Sequence, residues 1–222
     1  VRAHCLCAAG VAALTTGAHG SFTFDDIEFW AGQGANRAAI VLDWNDGKPD
    51  ESVAWGYRWD DDATGQDMLL AVVAADPSLF ARVGVFGFGV AVVGLGQDTN
   101  ANGFAVTNGA FFDASGLSTQ GPSDGGEPVD PDDHYAEGWN TGFWQYFFAD
   151  DSPYAAGAWA TASTGVSGRT LSDGDWDGLS FAPGFVGPEP GLPVAAVPGP
   201  GAGLAFGVGA IGAASVRRRN GR

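Results

Sequence analysis

Cysteine and positive charge are both scarce in this sequence, and each shortage excludes something. The two cysteines, Cys5 and Cys7, lie at the extreme N-terminal end of a 222-residue chain. If that end is removed, no thiol and no disulfide remain. Thiolate metal sites and cysteine nucleophiles are then excluded, and a packed core must hold the chain together. Lys and Arg number 10 against 26 Asp and Glu, for a formal charge of −16. Such a chain lacks the clustered positive field that phosphate backbones require, so nucleic acid is excluded as a partner. Charged residues make up only 16%, whereas hydrophobic residues reach 45%, enough for a core and too many for wholesale disorder.

Catalytic motifs are also missing. There is no Gly-x-Ser-x-Gly elbow and no P-loop. Outside the N-terminal stretch His134 is the only histidine, set in the acidic run Asp130-Pro131-Asp132-Asp133-His134-Tyr135. With no second His or Cys it makes no zinc set, and it reads as a solvated loop residue. Among 26 acids some pair at glycosidase spacing is inevitable and says nothing. No residue is assigned a catalytic role, and the chain reads as non-enzymatic.

What is present is segregated. All the acidic residues lie between Asp25 and Glu189, while Arg2, Arg217, Arg218, Arg219 and Arg222 sit towards the two ends. Residues 1–20 combine a basic Arg2, an apolar stretch from Leu6 to Leu14, and small residues at Ala18-His19-Gly20 before Ser21. Those are the three parts of a secretory signal peptide, which would engage the secretion machinery. The alternative is a buried N-terminal helix.

At the other end, residues 187–200 are punctuated by Pro188, Pro190, Pro193, Pro198 and Pro200, a linker that cannot form helix or internal strand. Gly201 to Val216 is then uncharged, and residues 217–222 are basic. As a helix, 201–216 would be roughly 24 Å long, short against a ~30 Å hydrocarbon core. The expected element is a single weak C-terminal transmembrane helix with its arginines on the cytoplasmic side. This order of Pro-rich motif, short span and Arg cluster resembles the PEP-CTERM sorting signal, with Val197-Pro198-Gly199-Pro200 in the motif's place and Arg217, Arg218 and Arg219 closing it. Gly199 stands where that family commonly has Glu, and a literal Pro-Glu-Pro occurs earlier, at Pro188-Glu189-Pro190. The resemblance implies an exosortase as processing partner and delivery to the cell envelope, surface or extracellular matrix. The alternative is an ordinary membrane anchor.

Residues 21–186 are expected to form one β-rich extracytoplasmic domain. Ala38 to Trp44 and Ser52 to Trp59 read as strands of a hairpin around the turn formers Asn45 to Asp50. Thr64-Gly65-Gln66-Asp67 has capping-box spacing and opens a helix to about Ala75, closed by Asp76-Pro77. Val83 to Val93 reads as one buried, irregular strand, with short strands at Phe104 to Thr107 and Ala110 to Phe112. Asp113 to Thr141 reads as a long exposed loop. Phe143 to Ala149 is a strong strand, and Ala158 to Ser163 and Leu179 to Phe181 complete the domain. The fold class is α+β with one clear helix, β-grasp-like or sandwich-like. The blocks AAIVLDWNDGKPDESVAWGYRWD with TGQDML, and GFWQYFF with SGRTLSDGDWDGLSF, resemble uncharacterised bacterial cell-surface domains. That likeness supports export without implying an activity.

Two features suggest ligands. Asp98, Asn100 and Asn102 before Gly103, and Asp173, Asp175 and Asp177 before Gly178, follow the opening of a calcium loop. There, alternate oxygen side chains converge on a hard cation and Gly permits the turn. The twelfth positions are Gly109 and Gly184 rather than Glu, and the alternative is a pair of polar turns. Eight tryptophans could stack on sugars or a tetrapyrrole, although most belong in a core. Trp139 and Trp176, beside Gly and Asp, are the expected exposed platforms. A glycan-, tetrapyrrole- or calcium-binding module is thus the alternative to a purely structural surface protein.

Overall fold

The structure, a computed structural model, describes residues 21–87 and 89–197. The expected signal peptide at 1–20, Pro198, Gly199 and Pro200 of the sorting motif, the span at 201–216 and the basic end at 217–222 lie outside the described residues. No helix among the described residues is long and apolar enough to cross a membrane.

Among the described residues the fold is β-rich α+β with one α-helix and two open sheets. The larger sheet is built on the predicted hairpin. β2 (Asn36–Asp43) pairs antiparallel with β3 (Ser52–Trp59), Ile40 opposite Trp55. β1 (Trp30–Gly32) lies parallel to β3 on its far side. Beyond β2 come β10 (Trp176–Pro183), β8 (Gly142–Ala149) and β9 (Ala160–Thr161). The smaller sheet has the order β6 (Leu117–Ser118), β4 (Leu79–Phe86), β5 (Gly89–Gln97), β7 (His134–Glu137).

The apolar run in β2 is continuous because both faces of this strand are covered. Ala38, Ile40 and Leu42 enter the main core with Val53, Trp55, Tyr57 and Trp59, as the alternation in β3 predicts. Ala39, Val41 and Ala54 face the other way, into a second core closed by Phe22, Ile27, Ala149 and Trp176. On that outer face Trp30 lies flat against Gly56, where any Cβ would collide with its ring, and the Arg58 guanidinium caps the stack 4.6 Å from the ring centre. The helix α1 (Gly65–Ala75) carries the chain from the large sheet to the small one. Thr64 and Asp67 form the predicted capping box, Oγ1 of Thr64 accepting the Asp67 N–H at 3.2 Å. Met68, Leu69, Val72 and Val73 fill the main core from the helix.

Several expectations fail here. The single strand over Val83 to Val93 is two strands, β4 and β5, joined through a turn at Gly87. The apolar run conceals the reversal because both halves are β-formers and the turn is made by glycines that the strands also contain. Phe104 to Thr107 and Ala110 to Phe112 are not strands; only an isolated bridge joins Val106 to Pro128. The stretch from Asp113 to Thr141 is not simply an exposed loop, since it contributes β6 and the fully buried β7. It is locked by Glu137, whose side chain is wholly buried. Glu137 Oε2 accepts the Tyr135 hydroxyl at 2.6 Å and pairs with Arg82 Nη1 at 3.2 Å, while Oε1 accepts from Asn108 Nδ2 at 2.7 Å and the Gly126 N–H at 2.8 Å.

The Pro-rich segment is likewise packed onto the body rather than free of it from residue 187. β11 (Val194–Ala195) runs parallel to β3 as an edge strand, and Ala196 is buried in the main core. Gly191 anchors it, its N–H donating to Asp43 Oδ2 at 2.6 Å and its carbonyl accepting the Ser52 hydroxyl at 3.0 Å. Proline excludes an internal strand but not this edge position, where no partner lies beyond. Among the described residues the packed body therefore includes Ala196, and Val197 is exposed.

Candidate functional site

Three segments meet at one end of the two sheets: the β2–β3 turn, the loop after β5 and the approach to β7. In the turn, Asp46 Oδ1 accepts the Lys48 N–H at 3.2 Å, and Asp46 Oδ2 stands 2.9 Å from His134 Nδ1. Burial opposes ionisation of Asp46, but the bond to His134 and the nearby Lys48 hold its carboxyl below the usual carboxylate range. His134 is not the solvated loop residue the sequence suggested. It lies on β7, is 1% exposed, and stacks on Trp44 with ring centres 4.9 Å apart. Its neighbours Asp, Pro and Gly hide the strand, while the aromatic face that covers it comes from a residue ninety positions away.

The first predicted calcium loop is assembled as a compact turn. Asp98 Oδ1 accepts the Asn100 N–H at 3.3 Å, Asp98 Oδ2 accepts the Gly103 N–H at 2.9 Å, and Asn100 Oδ1 accepts the Asn102 N–H at 3.1 Å. The approach to β7 adds acids that were not singled out from the sequence. Asp130 Oδ2 receives the side-chain amides of both Asn100, at 3.0 Å, and Asn102, at 2.5 Å. Asp133 lies beneath, its Oδ1 accepting the Thr99 N–H at 3.0 Å and its carbonyl accepting from Lys48 Nζ. Burial and the charges of Asp98 and Asp130 push the Asp133 carboxyl above its usual range. A cleft of about 680 Å³ opens beside these groups, walled by Lys48, Thr99, Asp132 and His134, with Val194 to Val197 on its far side. Among the described residues, no three His, Cys, Asp or Glu side chains already stand as a ligand set.

The second predicted loop is taken up by protein partners. Asp173 Oδ1 accepts the Arg37 N–H at 2.9 Å. Asp175 Oδ2 accepts the Ser172 N–H at 2.7 Å and lies 2.9 Å from Arg169 Nη2. Asp177 is buried, with Oδ1 receiving Arg169 Nε at 3.3 Å and Oδ2 receiving the Tyr146 hydroxyl. Burial pushes the Asp177 carboxyl up to about 6, against the opposing pull of Tyr146 and Arg169. At the positions expected to bind calcium, the Arg169 guanidinium supplies positive charge to Asp175 and Asp177, while Asp173 serves a separate bond. No spacing within the hexapeptide signals this, because Arg169 lies outside it.

The two tryptophans also separate. Trp176, expected in an exposed loop, begins β10 and has no exposed surface. Its register opposite Ala39 and Ala149 turns it into the outer core, where Phe22, Phe24 and Tyr154 surround it. Trp139 is 37% exposed, as expected, and stacks on Phe86 with ring centres 4.9 Å apart. Its backbone is fixed by Asp124, which accepts the N–H groups of Trp139, Asn140 and Thr141; these bonds hold the Asp124 carboxyl far below the usual range. Beside Trp139 a second cleft of about 330 Å³ runs between the sheets, lined by Val90, Val92, Phe143, Trp144 and Tyr146. Its walls suit an apolar or flat ligand.

Comparison of the chain with family models, with curated proteins and with solved structures finds no match to any of them.

Proposed function

We propose that this chain is a non-enzymatic, exported cell-surface or extracellular-matrix protein, held briefly in the membrane by residues 201–216 and processed through a PEP-CTERM-type signal by an exosortase. The observation that carries the reading is the segregation of charge: every acid lies between Asp25 and Glu189, and basic, apolar segments flank them. Among the described residues the core runs from Phe22 to Ala196. Val197, the first residue of the motif, is 65% exposed and so open to a processing enzyme. The N-terminal signal helix and the C-terminal transmembrane helix belong to this proposal.

Deleting Gly201 to Arg222 in the native host is expected to move most of the protein from the envelope fraction to the medium. Immunoblots of the two fractions make the measurement. Retention in the envelope equal to that of the full chain would count against sorting by this tail.

A second reading has one observation behind it: the cleft beside exposed Trp139 and Phe143 offers aromatic faces to a glycan or a tetrapyrrole. It is compatible with export and would give the surface protein a ligand.

A further inference from the structure

The junction of the Asp98 loop with the Asp130–Asp133 segment has one feature that a polar turn does not explain. Asp133 has no exposed surface. Its Oδ1 is satisfied by the Thr99 N–H, whereas its Oδ2 is buried with no hydrogen-bond partner. A buried carboxylate oxygen without a donor is costly and rare in folded proteins. The cation nearby does not relieve it, because Lys48 Nζ donates to the Asp133 carbonyl and pairs with Asp46 Oδ2 at 3.8 Å. Nor does the Thr99 hydroxyl, which donates to the Asp132 carbonyl at 3.2 Å. Thr99, whose N–H holds Oδ1, directly follows Asp98, which places the orphan oxygen beside the Asp98 loop.

We propose that a single calcium ion binds at this junction, between the Asp98–Gly103 loop and Asp130–Asp133, with Asp98, Asp130 and Asp133 supplying charge and Asn100 and Asn102 supplying amide oxygens. Calcium accepts six to eight oxygens of mixed type in flexible geometry, which suits carboxylates, amides and carbonyls on two converging loops. Two amides now donate to the same oxygen of Asp130; a half-turn of Asn102 presents oxygen in place of nitrogen, and the same turn of Asn100 exchanges its bond from the Asn102 N–H for the ion. The three acids do not already stand as a preformed set, so binding draws the two loops together. Magnesium, smaller and strictly octahedral, suits such a site poorly. The proposal is independent of the sorting signal and adds a ligand to the packed body.

Isothermal calorimetry on the full chain in detergent, with calcium chloride as titrant and magnesium chloride in parallel, tests it. One calcium per chain is expected. At a hundredfold excess over Kd the unfolding midpoint should rise by roughly 5–10 °C. Asp133→Asn and Asp98→Ala should each weaken binding tenfold or more, while Asp173→Ala leaves it unchanged. If Asp133→Asn does not fold, the half-buried Asp98→Ala decides. The proposal is overturned if ~10 mM calcium gives neither heat nor a midpoint shift, ten times the weakest extracellular calcium modules. Equal responses to magnesium, or unchanged binding by Asp98→Ala, would overturn it as well, since they would indicate diffuse attraction to an acidic surface.

Discussion

Replacing Glu137 by alanine is expected to lower the unfolding free energy by about 3–5 kcal/mol, the range for breaking one partner out of a buried ion pair. Four donors converge on this carboxylate from β4, β7 and the long segment between β5 and β7. Burial alone would favour the protonated acid, but the Tyr135 hydroxyl, the Gly126 N–H, Asn108 and Arg82 together hold Glu137 below the usual carboxylate range. Its removal leaves a buried guanidinium, a phenol and two amide donors without their acceptor. Arg82 also donates to the carbonyls of Gln120 and Gly121, so the loop that carries those residues should loosen as well. Glu137→Gln keeps the shape and one acceptor and should cost less than the alanine. Urea unfolding followed by tryptophan fluorescence gives both values. A loss under ~1 kcal/mol for the alanine variant would mean that the cluster is not the lock between the loop and the small sheet.

Trp55→Ala should be at least as damaging. Trp55 is fully buried in the main core, where a Trp-to-Ala truncation costs about 3–5 kcal/mol through lost burial and an unfilled cavity. It also removes a specific bond, because Trp55 Nε1 donates to Asp76 Oδ2 at 2.8 Å. Asp76 is itself buried and ends α1, its N–H donating to the Val72 carbonyl at 3.0 Å. Trp55→Phe separates the two contributions. It retains most of the volume and strands the Asp76 oxygen, for an expected loss of about 1–3 kcal/mol. Equal losses for the two variants would assign the whole effect to the hydrogen bond.

The parts that were legible in the sequence are those with a local signature. The turn formers Asn45 to Asp50 between two apolar runs mark the β2–β3 hairpin, and Thr64 with Asp67 marks the helix start to the residue. The alternation of Val53, Trp55, Tyr57 and Trp59 gives the face that meets the helix. What could not be read depends on partners distant in sequence. β7 carries His134 and Glu137, polar residues that become core only because Trp44, Asp46 and Arg82 meet them there. The two Asp-rich hexapeptides follow the same pattern yet end differently. Arg169 reaches Asp175 and Asp177, whereas Asp130 and Asp133 come alongside Asp98, Asn100 and Asn102. Trp176 illustrates the same limit: a Gly-Asp context suggested a loop, but strand register placed it under Phe22 and Phe24. The edge strand β11 was obscured by the surrounding prolines, and the bonds of Gly191 to Asp43 and Ser52 show why the segment stays on the body.

The account rests on treating the two ends as removable and residues 21–196 as the part that persists. The most direct test is the mass and terminal sequence of the protein recovered from the envelope and medium of its native host. The account predicts a mature form that begins at Ser21 and lacks residues 201–222. A recovered chain that still carries both the Val1–Gly20 stretch and the Arg217–Arg219 cluster would contradict it.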